Sequence, residues 1–272
     1  MPALTSGKVC VFGAGGPVGA MVAQALKNDY QLRLTDLRDV KDILAENKPQ
    51  SKGAPLPEVP APPHEWQCVD IGNYDQVLQA ATGMDALINV AVLRHDLVPA
   101  FRVNLVGAYN VMKAAVACGI KRIIHTGPRH TQLGFEGDYW PDFDIPDEAP
   151  LHPGSDLYAL TKHLGGQVVR VFAERHNLEV LCFLFTSFRP GTGADAKDGS
   201  GVHPLTVAWE DTGDPFRLGL QVDGLNSNYG VFDITVELPH GKFGTGKIQR
   251  QLGWRPQYTF ERLYCRTERD RA

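Results

Sequence analysis

Tyr158 and Lys162 stand four residues apart in Leu157-Tyr158-Ala159-Leu160-Thr161-Lys162. On a helix that spacing stacks both side chains on one face, a phenol above an ammonium. A free phenol ionises near pH ~10, so using it as a base near neutrality means stabilising the phenolate by about 3 pKa units, roughly 4 kcal/mol. A neighbouring ammonium is the kind of opposite charge that does this. The bland alternative is an exposed pair at a helix start, and the motif alone does not separate the two.

A second chemical device opens the chain. Val9 to Phe12 is a short apolar run, as in a strand buried on both faces, and it leads into Gly13-Ala14-Gly15-Gly16-Pro17-Val18-Gly19. After Gly19 the period changes: Val18, Met21, Val22, Ala25 and Leu26 share one helical stripe. A strand that becomes a helix through Gly-x-x-Gly-x-x-Gly holds a diphosphate. Gly13 permits the tight turn, Gly16 lets backbone approach phosphate oxygens, and Gly19 lets helix and strand pack closely. The exposed N–H groups and the positive helix end supply the attraction. Pro17 suits the first helical turn. The next strand, Gln31 to Asp36, ends in an acid about 20 residues beyond the first glycine, where an adenosine ribose would sit. Asp36 would bond both ribose hydroxyls and repel a 2′-phosphate, so NAD is expected rather than NADP. Arg33 and Arg38 lie nearby, but Arg33 alternates with Asp36 and is expected to face elsewhere. The nicotinamide of such a cofactor would add its positive charge to that of Lys162 beside Tyr158.

The elements that must position these groups follow in order. Trp66 to Asp70, Ala86 to Val90, Lys121 to Thr126 and Val180 to Phe185 read as further strands. Between them lie helical stretches at Tyr74–Ala81, roughly Pro99–Cys118, and Tyr158–Asn177. This alternation predicts an α/β fold, a Rossmann-type doubly wound parallel sheet. Residues 1–185 form the cofactor-binding part. Residues 186–272 are read as a small substrate-binding cap over the sheet's carboxyl end, too small for an independent domain. The prolines from Pro49 to Pro63 exclude helix and interior strand, leaving an extended surface loop that either borders the adenine side of the cofactor or is a solvated insertion. The helix from Pro99 to Cys118 is apolar around most of its circumference and wants cover on two sides.

Composition excludes other classes. A net charge of −4 leaves no basic footprint, so a nucleic-acid partner is not expected. No apolar run approaches the ~20 residues needed to span a bilayer, and Met1 to Thr5 lacks the start of a signal peptide, so a cytoplasmic protein without a membrane partner is expected. Five cysteines, Cys10, Cys68, Cys118, Cys182 and Cys265, are scattered without a C-x-x-C pair. Four of them are read as buried free thiols, and no metal site is expected.

Gly13-x-x-Gly16-x-x-Gly19, Asp36, Asp70-Ile71, Asn89-Val90-Ala91, Asn104, Tyr158-x-x-x-Lys162, Arg189-Pro190 and Leu252-Gly253-Trp254-x-Pro256 stand in an order that resembles the extended short-chain dehydrogenase/reductases, the NAD-dependent epimerase/dehydratase family. The resemblance covers nearly the whole chain. It implies Tyr158 as the acid/base, and Lys162 as holder of the nicotinamide ribose and depressor of the Tyr158 pKa. It further implies that Asp70, Ile71, Asn89, Val90, Ala91 and Asn104 belong to the cofactor site with Pro17 and Val18. A Ser or Thr after the fifth strand would bind the reacting oxygen; by position this is Thr126, with Thr131 as second choice. The chain departs from the family here, because His125-Thr126-Gly127-Pro128-Arg129-His130-Thr131 carries two basic side chains where small hydroxyl residues are usual. The arrangement also resembles uronate dehydrogenases, a short branch of the family, including Thr186-Ser187-Phe188-Arg189-Pro190.

Three functions compete. The first is an NAD-dependent dehydrogenase of a small sugar acid, sugar or polyol. The second is a nucleotide-sugar epimerase or dehydratase, and the third a non-catalytic NAD-binding regulator. The short tail disfavours the second, and the intact Tyr–Lys pair disfavours the third. The first is expected, with a uronic acid as the best single choice of substrate, its carboxylate facing an arginine; the alternative is that the candidate arginines Arg94, Arg129 and Arg189 all pair with Asp or Glu and the substrate is neutral. Arg129 comes first, Arg189 second, and Arg94 and His130 complete the substrate set. Pairing of the two long helices with symmetry mates would make a homodimer.

Overall fold

The computed structural model describes residues 2–46, 48–49, 53–133, 151–192, 205–237 and 244–260. Its frame is a seven-stranded parallel sheet in the order β3-β2-β1-β4-β5-β6-β9. The strands are β1 (Gly7–Phe12), β2 (Tyr30–Asp36), β3 (Glu65–Cys68), β4 (Ala86–Asn89), β5 (Arg122–Pro128), β6 (Glu179–Phe185) and β9 (Tyr229–Asp233). A parallel pair, β7 (Ser187–Arg189) and β8 (Thr206–Ala208), stands apart at the carboxyl end.

Both faces of the sheet are covered, which is why its strands read as continuous apolar runs. On one face Val9, Val11, Ile88, Ile124, Phe183 and Phe232 join a core with α1 (Pro17–Leu26), α8 (Asp214–Gln221) and α9 (Gly246–Leu252). On the other, Cys10, Phe12, Leu87, Ile123 and Val180 meet α3 (Tyr74–Ala81), α5 (Gly107–Cys118) and α7 (Leu157–His176). The short helices α2 (Val40–Glu46), α4 (Leu97–Ala100) and α6 (His130–Leu133) complete the set. Phe185, where the cofactor-binding part is expected to end, is the last residue of β6, but the main sheet continues with a strand from the tail. Beyond it, α8 packs against α1, and β9 pairs with β6 as the last strand of the main sheet.

Helix ends follow their sequence. The Asp156 carboxylate accepts from the Ala159 N–H and starts α7, and Asn177, in the left-handed region at φ 50°, ends it. The expected helix at Pro99–Cys118 is interrupted: α4 passes into a π-helical turn at Phe101–Val106 before α5 begins. Leu97, Val98, Val106, Tyr109 and, on α7, Val171 remain exposed on these helices.

The cysteines differ in part from expectation. Cys10 and Cys182 are buried and Cys118 is half-buried, but Cys68 is exposed, because its strand borders the sheet and presents it to solvent; Cys265 lies outside the described residues. Among the described residues no helix is long and apolar enough to cross a membrane.

Candidate active site

The carboxyl ends of β1, β2 and β4 open onto a cleft of about 660 Å³. Gly13, Gly15, Gly16, Pro17, Val18 and Gly19 form one wall. Gly13 takes φ +88°, and a Cβ there would meet the Ala91 backbone at 2.6 Å. A Cβ on Gly15 would lie 2.8 Å from the Asp36 carboxyl, and the Gly15 N–H donates to Asp36 Oδ2 at 2.9 Å. The glycine turn and the acid that ends β2 are therefore one unit, and Gly15 belongs to the site although the three-glycine spacing passes over it. Burial raises the Asp36 pKa, with the Gly15 N–H as the largest opposing influence.

The far wall carries Asp70, Ile71, Val90 and Ala91. Asp70 is held by Arg102 at 2.5 Å. Arg33 does face away, toward Glu65 at 2.6 Å, while Arg38 borders the cleft and pairs with Glu46 at 2.7 Å. The proline-rich excursion also reaches it: Lys48, Pro55 and Leu56 line the cleft, so this stretch borders the site rather than standing free in solvent.

Asn89 and Asn104, expected at the cofactor, do not line the cleft. Asn89 Oδ1 accepts from the Ala91 N–H at 3.1 Å. Asn104, in the π turn, accepts from the Leu93 N–H at 3.1 Å and donates to Leu93 O at 2.6 Å and Thr161 Oγ1 at 2.9 Å. The Asn89 amide nitrogen lies 3.5 Å from His125 Nδ1, so Asn89 ties the loop after β4 to β5, while Asn104 ties it to α7. They shape the wall and do not reach into it.

A smaller pocket of about 210 Å³ adjoins the cleft, sharing Val18, Val90, Val92, Arg94, Thr186 and Phe188 with it. Tyr158, Lys162, Thr126 and His130 line this inner pocket. Lys162 donates from Nζ to Ala91 O at 2.8 Å and Thr126 O at 3.2 Å. Burial lowers its pKa to about 7; the Cys182 thiol opposes this and Arg94 adds to it. His125, behind Lys162, is buried and kept neutral, its pKa lowered to about 3 by burial first and Lys162 second. Burial raises the Tyr158 pKa, and the group drawing it down is Arg94, whose Cζ lies 5.2 Å from the ring centroid.

Of the two candidate threonines, Thr126 lines the pocket, and its hydroxyl donates to Asn89 O at 3.1 Å. Thr131 is buried and donates to Pro128 O at 2.9 Å.

Arg129 is a correction. It was expected first for a substrate carboxylate, yet it is 2% exposed and paired with Asp233, equally buried at the end of β9. The guanidinium already has its carboxylate, and extracting one partner would strand the other charge. Arg94 and Arg189 line the cleft, and Arg94 also reaches the inner pocket. Phe188 and Trp209, stacked with centroids 4.3 Å apart, form an aromatic wall the motifs did not flag.

The family model of the NAD dependent epimerase/dehydratase family matches residues 9–204. The chain belongs to this family. Among its relatives, a uronate dehydrogenase of Pseudomonas putida is 27% identical over 186 residues, 67% of this chain and 62% of that one. An L-arabinose 1-dehydrogenase (NAD(P)(+)) of Haloferax volcanii is 25% identical over 64% of each chain. The match thus spans about three fifths of the length of these curated relatives. A glucuronic acid dehydrogenase structure from Chromohalobacter salexigens shares the fold, with a TM-score of 0.74, 20% identity, and coverage of 97% of this chain and 89% of that one. The residues described above fit the family's cofactor: the turn has no room for a Cβ at Gly13 or Gly15, and the acid of β2 sits beside it.

Proposed function

We propose that the protein is an NAD-dependent dehydrogenase that oxidises a hydroxyl of a small sugar acid, sugar or polyol, with a uronic acid as substrate. The observation that carries this reading is the convergence of Tyr158, Lys162, Thr126 and Arg94 on one pocket adjoining the glycine-lined cleft. The names of the relatives support the substrate class.

The cofactor supplies the hydride acceptor. The chain's own residues do the rest. Tyr158 takes the proton of the reacting hydroxyl, a general-base step worth roughly 10²–10⁴ in rate. Lys162, anchored on two carbonyls from β5 and the loop after β4, sits one helical turn from Tyr158 and lines the inner pocket with it. Thr126 donates to Asn89 O without substrate; to hold the reacting oxygen, whose one proton goes to Tyr158, its hydroxyl turns and donates to that oxygen instead. With Arg129 committed to Asp233, the substrate carboxylate falls to Arg189 or Arg94. The exposed apolar strip on α4, α5 and α7 supports a two-fold homodimer through these helices.

Purified protein is assayed for NADH formation with uronates, aldoses and polyols, and kcat/KM for glucuronate is set against glucose in wild type, Arg94→Ala and Arg189→Ala. A carboxylate preference that one arginine variant abolishes is expected. No turnover of any compound removes the dehydrogenase reading, and a preference unchanged in both variants removes the arginine assignment.

A further inference from the structure

Lys162 commits its ammonium to two backbone carbonyls, and the cation over the Tyr158 ring is a different residue. Arg94 follows Leu93, whose N–H and C=O are both bonded by the Asn104 side chain. The same amide bonds Thr161, on the helix that carries Tyr158. Two residues before Leu93, Ala91 is bonded by Asn89 through its N–H and by Lys162 through its carbonyl. The loop that presents Arg94 is therefore tied at two points to the helix that presents the phenol. A cation so placed is registered to the ring by the frame and not by a flexible surface contact.

We propose that Arg94 is a charge-stabilising residue for Tyr158, its guanidinium holding the phenolate form in which the tyrosine accepts the substrate's proton. The inference rests on the reading of Tyr158 as that base and adds a second cation to it. A cation over an aromatic face is attracted to its electron density, and ionising the ring's hydroxyl increases that density. A guanidinium also keeps its charge at every working pH, whereas an ammonium lowered to about 7 is only partly charged near neutrality. The direction is consistent: burial pushes the phenol up, and Arg94 draws it back through its charge and a hydrogen bond.

The other titratable groups around the phenol do not replace it. Asp156, at the start of the helix, acts in the opposite sense. His130, from α6, shares the inner pocket, and His125, from β5, is kept neutral by burial and Lys162. Cys182, from β6, lies against Lys162 and is itself raised by burial to about 11.

The test replaces Tyr158 by a ring-fluorinated tyrosine, whose phenol ionises well below tyrosine's, and follows its fluorine resonance with pH in NAD-loaded protein. Wild type, Arg94→Met and Arg94→Lys are compared, each checked for an unchanged melting transition. The expected result is an apparent pKa raised by about one unit in Arg94→Met and by less in Arg94→Lys. An unmoved pKa in Arg94→Met, or equal shifts in both variants, overturns the proposal, because the charge would then not be the agent. The titration needs no turnover, so it is separate from the proposed function: an active Tyr158→Phe enzyme would sink the base assignment and leave the titration standing.

Discussion

Tyr158 and His125 show how burial sets the state of a single side chain. The phenol is pushed toward its neutral form, and the site must supply positive charge to recover a base. Tyr158→Phe is expected to lower kcat by roughly 10²–10⁴ while leaving NAD affinity within error, since the ring's packing survives and only the proton acceptor is lost. Stopped-flow rates beside calorimetric NAD titration check both halves; near-full activity in the variant would refute the role. His125 gives a pH prediction. Its folded pKa, about 3, lies below its ordinary 6.5, so between those values the unfolded chain holds the extra proton. Stability therefore falls as pH drops through that window, by at most roughly 5 kcal/mol. Chemical denaturation from pH 7 to pH 4 is expected to be steeper in wild type than in His125→Gln; identical slopes would mean that His125 is not buried neutral.

At the scale of elements, the site depends on how closely α7 approaches the π turn. Thr161 and Gly165, one turn apart, share the face of α7 that meets Asn104. Thr161 accepts from its side chain, and a Cβ on Gly165 would stand 2.3 Å from its carbonyl oxygen. Gly165→Ala gains up to about 1 kcal/mol of helix propensity. Overpacking against a backbone carbonyl costs typically 1–3 kcal/mol, so a net loss of stability is expected. Differential scanning calorimetry showing a raised Tm would contradict this. Because the displaced oxygen belongs to the residue that ties Leu93 to α7, the variant is also expected to lose activity beyond its loss of stability.

For the whole molecule, the exposed residues Leu97, Val98, Val106, Tyr109 and Val171 lie on α4, the π turn, α5 and α7, the helices covering one face of the sheet. Tyr109 stands edge-on to Phe172 of α7 at 5.4 Å, so the strip bridges the two long helices. Sedimentation of the 29.8 kDa chain is expected to give twice that mass, and Val171→Glu with Tyr109→Glu to give the monomer. A monomeric wild type at micromolar concentration would refute the dimer.

The amino-acid sequence by itself determined what local spacing encodes. Gly13, Gly16 and Gly19 with Asp36 mark one strand–turn–helix–strand unit, Tyr158 and Lys162 share one helix face because a helix repeats every 3.6 residues, and the apolar runs predict a sheet covered on both faces. Partners chosen across the sheet were not legible. Arg129 follows β5 as a substrate-binding arginine would, but β9 delivers Asp233 beside it and turns the charge inward. Asn104 is expected at the cofactor only through the family resemblance; in space, from within the π turn, its amide is bonded to both backbone groups of Leu93. The stretch around Pro55 reads either as a border of the cofactor site or as a solvated insertion, and only the packed structure places it against the cleft. In each case a side chain's role follows from which distant group satisfies its charge or hydrogen bonds first. Only the packed structure decides that competition, because burial makes an unsatisfied polar group costly and the chain's order does not say who its neighbours are.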